Sequence, residues 1–340
     1  MVTWPPAPGE DATAALSRMR GRRGVERAPS LGQQTRSLLR HYHLAPKRGL
    51  GQSFLIAPTV RDLIVNAAEV GPDDLVVEIG PGTGVLTEAL AEKAGWLVGI
   101  EQDRGLYQLL VDRFGNRPRV SLICGDALVF DVAGFLSETF PGHGRAKLVS
   151  NLPYSVATPL ILRLIRLHHC FSFLLVMVQR EVASRLLAAP GEDGYSALTL
   201  RCRYEAEATV VAKVPRTAFY PRPAVDSTLV RLDLLPRPRV SVQCPDLLFR
   251  VVRAAFGQRR KTLRNALLGG GIVADSMVLE RILADVSINS KRRGETLDLT
   301  EFATLADHLH AMGMLLPDPP HPPLSPTGGE DQGEGADDDR

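Results

Sequence analysis

Between Pro58 and Gln179 the sequence switches back and forth between two hydrophobic periods, and this alternation limits the fold more than any other feature. Short apolar runs rich in β-branched residues, at 75–80, 96–101, 120–126, 147–152 and 171–179, read as strands. Segments with a helical period stand between or before them at 58–69, 85–93, 105–113 and 158–167. Strands joined through helices pair in parallel, and a parallel sheet has to be covered on both faces. The pattern therefore predicts an α/β sheet wrapped by helices. Two later runs, 208–214 and 227–234, flank a proline-rich loop and predict an antiparallel pair. After Pro245 the strand signals stop. Helical patterns at 247–256, 262–268, 278–284 and 299–312 predict a small, all-helical second domain.

The ends of the chain read differently. Residues 1–36 are rich in Pro, Gly, Ala and Arg, and the stretch after Leu316 is Pro-rich and then acidic. Neither has enough apolar periodicity to pack. The expected organisation is a mostly disordered extension over 1–40 with a helix at 33–42, a sheet domain over 41–236, a helical domain over 240–314 and a disordered acidic tail over 317–340.

Composition excludes several classes. Hydrophobic residues make up 44% and charged residues 23%, the balance of a soluble globular protein. The longest apolar run, 171–178, is far short of the roughly 20 residues that a membrane span needs. The first residues hold no apolar signal core, so a cytoplasmic protein without membrane attachment is expected; a monomer is expected as well. Cys124, Cys170, Cys202 and Cys244 form no C-x-x-C pair and read as isolated thiols. His168-His169 and His41/His43 lack partners at ligand spacing, so no metal site is expected.

The net charge of +2 hides an uneven distribution. Residues 1–48 hold nine Lys/Arg against three acids, whereas 317–340 hold seven acids and one Arg. Arg250, Arg253, Arg259, Arg260, Lys261 and Arg264 follow one another with no acid between them. Such a run is either a surface suited to phosphate or a solvated helix face.

The first strand runs into Glu78-Ile79-Gly80-Pro81-Gly82-Thr83-Gly84 and then a helix. Glycines here let the backbone turn sharply and pass close to a ligand. Glu101, at the end of the second strand, can accept hydrogen bonds from two ribose hydroxyls. Those two features alone also fit a dinucleotide fingerprint. A third acid, Asp126 at the end of strand three, is placed to accept an adenine amine and favours S-adenosylmethionine. The absence of a Walker lysine argues against ATP.

Strand four ends in Asn151-Leu152-Pro153-Tyr154. Ligands of open α/β sheets bind at the carboxyl ends of strands, so this tetrapeptide faces the donor. Methylating an aryl amine needs little acid–base power, because the task is to turn a delocalised lone pair toward the methyl group. The Asn151 side-chain oxygen and the Leu152 carbonyl can accept the two N–H groups and hold that orientation. Pro153 stiffens the turn, and Tyr154 offers a flat face for a purine that has left its helix. Phe219, in Phe219-Tyr220-Pro221-Arg222-Pro223, is either a second stacking face or a core aromatic in a stiff loop. Asn151 also has an alternative reading, as the N-cap of the helix that follows.

With these residues in place, the chain resembles the ribosomal RNA adenine dimethyltransferase family, and within it the bacterial small-subunit type. The resemblance spans about 44–312 and rests on Lys47-Arg48, Leu50-Gly51-Gln52-Ser53-Phe54-Leu55, Glu78–Gly82, Gly125-Asp126-Ala127, Asn151–Tyr154, the Phe219 loop and Arg259–Asn265. It implies a class I, Rossmann-like methyltransferase sheet over 41–236, with Ser53, Leu55, Gly80, Gly82, Glu101, Asp126 and Asn151 around S-adenosylmethionine. Position 53 departs from the family's usual Asn; Ser can still donate and accept, but it reaches less far. The resemblance further implies two methyls on each of two adjacent adenines in a hairpin near the 3′ end of 16S rRNA, within an immature small ribosomal subunit. Arg253, Arg259, Arg260, Lys261 and Arg264 of the helical domain would then grip rRNA phosphates.

Overall fold

The computed structural model describes residues 29–47, 49, 51–258 and 260–313. The disorder expected for 1–28 and 317–340, and Arg259 of the basic run, lie outside the described residues. The strands are β1 (Phe54–Leu55), β2 (Leu75–Ile79), β3 (Trp96–Glu101), β4 (Val120–Cys124), β5 (Ala146–Asn151), β6 (Phe171–Gln179), β7 (Ala206–Val214), β8 (Phe219–Tyr220) and β9 (Ser227–Leu234). The helices of the sheet domain are α1 (Leu31–His41), α2 (Pro58–Ala67), α3 (Val85–Ala91), α4 (Arg104–Phe114), α5 (Val132–Thr139), α6 (Ala157–Leu164), α7 (Arg180–Leu187) and α8 (Ala197–Glu205). The helical domain adds α9 (Pro245–Gly257), α10 (Leu263–Gly269), α11 (Ser276–Asp285) and α12 (Leu299–Ala311).

Seven strands form one sheet in the order β4-β3-β2-β5-β6-β9-β7. β4, β3, β2, β5 and β6 run parallel, and β9 lies antiparallel between β6 and β7. The usual dinucleotide-binding sheet is mostly parallel, with its sixth strand following the fifth and no antiparallel strand inserted between them. The antiparallel insertion therefore separates this fold from the alternative that the glycine turn left open. Successive residues of β2 point to opposite faces and join two different cores. Leu75, Val77 and Ile79 pack with α6, whereas Val76 packs with α2 and α3. That two-sided burial is why the strands read as continuous apolar runs.

The helix expected at 33–42 is present as α1, but the boundary of the unstructured extension needs correction. Residues 29–40 are not part of an unstructured extension: Ser30 and Gln33 form a capping box that starts α1. Leu39 then packs on Phe54 and Leu106, and the Arg36 guanidinium sits 5.5 Å over the Tyr220 ring. The partners that hold this helix come from positions far along the chain, so its local sequence showed the helix but not its anchor. Three helices, α5, α7 and α8, had no clear signal. α8 shows why: Leu198 and Cys202 face the sheet core while Leu200 and Tyr204 face the helical-domain core. A helix buried on two sides has no single apolar stripe to detect.

The helical domain consequently shares its core with the sheet domain. Tyr195, just before α8, is 1% exposed in that core, and its hydroxyl donates to the Leu297 carbonyl at 2.8 Å. Tyr195→Phe leaves this buried acceptor unpaired and is expected to cost about 1–3 kcal/mol. The measurement is the urea midpoint at constant m-value; an unchanged midpoint would mean that the carbonyl finds another donor.

Candidate active site

β2 and β5 are neighbouring parallel strands whose following helices, α3 and α6, pack in the cores on opposite faces of the sheet. A crevice has to open where the chain parts in this way. It is a cleft open to solvent, with Gly80, Gly82, Glu101, Asp126, Asn151 and Pro153 in its wall. Gly80 and Gly82 have φ of +65° and +62°, in the left-handed region. A Cβ on Gly82 would lie 2.9 Å from the Phe54 ring, and one on Gly80 would lie 3.2 Å from Pro153. Any side chain here would be strained and would crowd the cleft.

Glu101 closes β3 and is 6% exposed. Its Oε2 accepts the Gly82 N–H at 3.0 Å and its Oε1 accepts the Asp103 N–H at 2.9 Å, so the carboxylate is held rigidly beside the glycine turn. Burial raises its pKa, partly opposed by these backbone hydrogen bonds. Asp126 follows β4; its Oδ1 accepts the Leu128 N–H at 2.9 Å, which pins the carboxylate at the cleft wall.

Glu78 stands in the glycine motif without an expected role in the site. It is 2% exposed at the end of β2, lines the cleft and accepts from the Thr87 hydroxyl at 2.7 Å. Burial first, and then the charge of Glu101, push its pKa up to about 8, so it is mostly neutral at pH 7. A signal was available: an acid inside an apolar strand covered on both faces has to be neutralised or paired.

Asn151 ends β5. Its Nδ2 donates to the Ser53 carbonyl at 3.0 Å, while its Oδ1 is buried with no hydrogen-bond partner among the described residues. The N-cap alternative fails, because α6 starts from Val156 with no side-chain cap. A buried acceptor without a partner, on a residue that lines the cleft, is the feature that an amine-binding site requires. Ser53 contributes its main-chain carbonyl to this contact, which either Ser or Asn could supply. Leu55 is buried, lines the cleft and pairs across β1–β8 with Phe219.

Leu152 is 1% exposed, and it lines the cleft together with Pro153. Tyr154 is half-buried beside the cleft, with its hydroxyl 2.6 Å from Ser227 Oγ. Phe219 departs from the stacking expectation. It is 3% exposed in the core, and its ring meets Tyr154 edge to face, with centroids 6.4 Å apart and planes at 70°. Two rings at that angle leave no parallel slot for a base. Phe219 here is the core aromatic of the alternative reading and buttresses Tyr154.

The basic residues lie on the helical domain, away from the cleft wall. Arg253, Arg260 and Lys261 are exposed. Arg264 is not a free cation: it is half-buried, ion-paired with Glu280 at 2.8 Å and hydrogen-bonded to Ser276 and Asn265. Among the described residues no group of His, Cys, Asp and Glu could hold a metal ion, and no helix is long and apolar enough to cross a membrane.

A sheet with an antiparallel insertion, a glycine turn, acids after its second and third parallel strands, and an orphaned asparagine after its fourth define a class I methyltransferase. The family model for ribosomal RNA adenine dimethylase matches residues 44–305. The chain belongs to that family. It is 46% identical over 277 residues to the ribosomal RNA small subunit methyltransferase A of Pelotomaculum thermopropionicum, covering 80% of this chain and 94% of the relative. The protein of the same name from Moorella thermoacetica is 45% identical, with 80% and 96% covered. Among solved structures, a dimethyladenosine transferase from Plasmodium falciparum superposes with a TM-score of 0.64 at 26% identity, covering 76% of this chain and 98% of that one. The 23S rRNA methyltransferase ErmE shares the fold at a TM-score of 0.56 and 23% identity, over 76% of this chain and 99% of its own.

Glu78 makes a pH prediction. Its folded pKa lies above the ordinary 4.5, so the folded state binds its proton more tightly than the unfolded chain does. The stability it contributes is present below about pH 4.5 and is lost as pH rises through about 8. Glu78→Gln, which stays neutral, is expected to gain on the order of 2–4 kcal/mol over wild type between those limits. Parallel urea titrations at pH 4.5 and 8.5 check this; an equal difference at both values would contradict it.

Proposed function

We propose that the protein dimethylates the exocyclic N6 amine of two adjacent adenines in a 3′-end hairpin of 16S rRNA, in an immature small ribosomal subunit, with S-adenosylmethionine as donor. The observation that carries this reading is the unpaired Asn151 Oδ1, buried at the end of β5 in the same cleft as the glycine turn. The names of the relatives at 45–46% identity support the choice of the small subunit.

The wall of the cleft fits the donor. Gly80 and Gly82 leave a cradle that a Cβ would fill, Glu101 is placed for ribose hydroxyls, and Asp126 is placed for an adenine amine. When bound, S-adenosylmethionine supplies an electrophilic methyl group on a sulfonium. The chain's own task is orientation. Asn151 Oδ1 and the Leu152 carbonyl accept the two N–H groups of the target amine and turn its lone pair out of conjugation with the ring. Each acceptor acts most strongly where water is excluded. Tyr154 stacks on the purine, with Phe219 behind it and Ser227 holding its hydroxyl. Exposed Arg253, Arg260 and Lys261 add sequence-independent attraction for rRNA phosphates.

Mass spectrometry of rRNA from cells lacking the protein tests the reading directly: loss of dimethyladenine from small-subunit rRNA is expected. Loss from large-subunit rRNA alone would reverse the assignment. Asn151→Ala is expected to lower kcat by roughly 10²–10³-fold while the affinity for the demethylated donor product changes little. Full turnover by that variant would remove Asn151 from the mechanism. Replacing both Arg260 and Lys261 by Ala should flatten the plot of log K against log salt by roughly 0.7–0.9 per charge removed. An unchanged slope would place the RNA elsewhere.

A further inference from the structure

Three elements of the site are held from one short stretch of chain before α2. The Ser53 carbonyl accepts Asn151 Nδ2 at 3.0 Å. Phe54 and Leu55 form β1, paired with Tyr220 and Phe219 of β8, and the Ile56 N–H extends that pairing to the Ala218 carbonyl at 2.8 Å. Lys47 Nζ reaches Asp103 Oδ2 at 2.6 Å. Gln52 ties the Lys47 end to the Ser53 end: its Oε1 accepts the Lys47 N–H at 2.8 Å, and its N–H donates to the Lys47 carbonyl at 3.4 Å.

The bond to Ser53 decides which way round the Asn151 amide sits. With Nδ2 on that carbonyl, Oδ1 is left as the unpaired, buried acceptor of a residue that lines the cleft. A half-turn of the amide would set two acceptors against each other at Ser53 and present N–H donors to an amine that also donates. Asn151 can therefore act as an acceptor only while the Ser53 carbonyl stays in place. β1–β8 pairing holds this stretch on the far side, through two residue pairs and the Ile56–Ala218 hydrogen bond. On the near side the anchor is Asp103. It is 4% exposed, its Oδ1 caps α4 through the Gly105 and Leu106 N–H groups, and its own N–H donates to Glu101. The Lys47 end of the pair is 58% exposed and screened, but the carboxylate it meets is not.

We propose that Lys47 and Asp103 are positioning residues for methyl transfer: their ion pair holds the Ser53 carbonyl against Asn151 and so fixes the acceptor face of that amide toward the target amine. Through Asp103 the same pair touches the backbone that steadies Glu101, so the donor side and the amine side of the cleft are set by one contact. The proposal rests on the reading of the site given above.

The test uses the full-length protein with Lys47→Met, Lys47→Arg, Asp103→Asn and the Met/Asn double variant. Asn keeps the oxygen that caps α4 and removes only the charge. In methyl transfer to small-subunit particles, Lys47→Met and Asp103→Asn should each lower kcat roughly tenfold to a hundredfold with little change in KM for RNA. Lys47→Arg should recover most of the loss, and the double variant should be no worse than the poorer single one. A second readout needs neither donor nor RNA. The Asn151 side-chain amide resonances should be sharp and slowly exchanging in wild type, and broadened or fast-exchanging in Lys47→Met. Unchanged kcat with unchanged amide resonances would overturn the proposal, as would losses that simply add in the double variant. If wild type itself left small-subunit adenines unmethylated, the proposed function would fall, and the amide resonances would still decide whether Lys47 orients Asn151.

Discussion

The structure depends on the parting of the chain between β2 and β5. These strands pair side by side, yet the helices that follow them pack in different cores, one on each face of the sheet. No backbone can cover the carboxyl ends of both strands at once, so a crevice is a topological necessity. The glycine turn enters it from β2 and Asn151 from β5, while Glu101 and Asp126 arrive from the next two strands on one side. Each functional group is a strand-end residue, and its distance from the others is set by sheet spacing rather than by loop length. Four segments spread over some seventy residues of sequence thereby converge on one volume.

Electrostatics follow from the same placement. Glu78 and Glu101 end neighbouring strands at 2% and 6% exposure, where a charge without partners is expensive. The two are treated differently. Glu101 receives two backbone N–H groups, whereas Glu78 receives one hydroxyl and is pushed toward its neutral form by burial and by its neighbour. The backbone N–H groups oppose the effect of burial at Glu101, and Glu78 is left as a mostly uncharged wall. The site carries a stability cost that the surrounding double-faced core offsets.

The remaining pieces of the molecule lean on this cleft. α1, anchored by Leu39, packs on Phe54 of β1, and β1 in turn holds the loop that carries Phe219. α8 and Tyr195 join the sheet core to the helical domain, so the exposed cations of that domain are carried on a rigid mount. The helical domain is thus continuous with the catalytic body.

Much of this was legible in the sequence. The change of hydrophobic period located β2 to β6 to within two residues, because strands buried on both faces and helices buried on one leave distinct patterns. Gly80, Gly82, Glu101, Asp126 and Asn151 could be named because their chemistry is tied to strand ends, which local sequence marks. Local sequence could not report who sits beside whom. It left α1 unanchored, since Phe54 and Leu106 are supplied from elsewhere, and it missed α8, whose two buried faces erase a period. It could not tell that Arg264 is spent on Glu280, that Phe219 turns its edge to Tyr154, or that a serine carbonyl ninety-eight residues before Asn151 orients its amide. Periodicity and residue type are properties of neighbours along the chain and fixed the fold class and the chemistry. Hydrogen-bond partners, ring angles and buried charges are properties of neighbours in space, and only packing decided them.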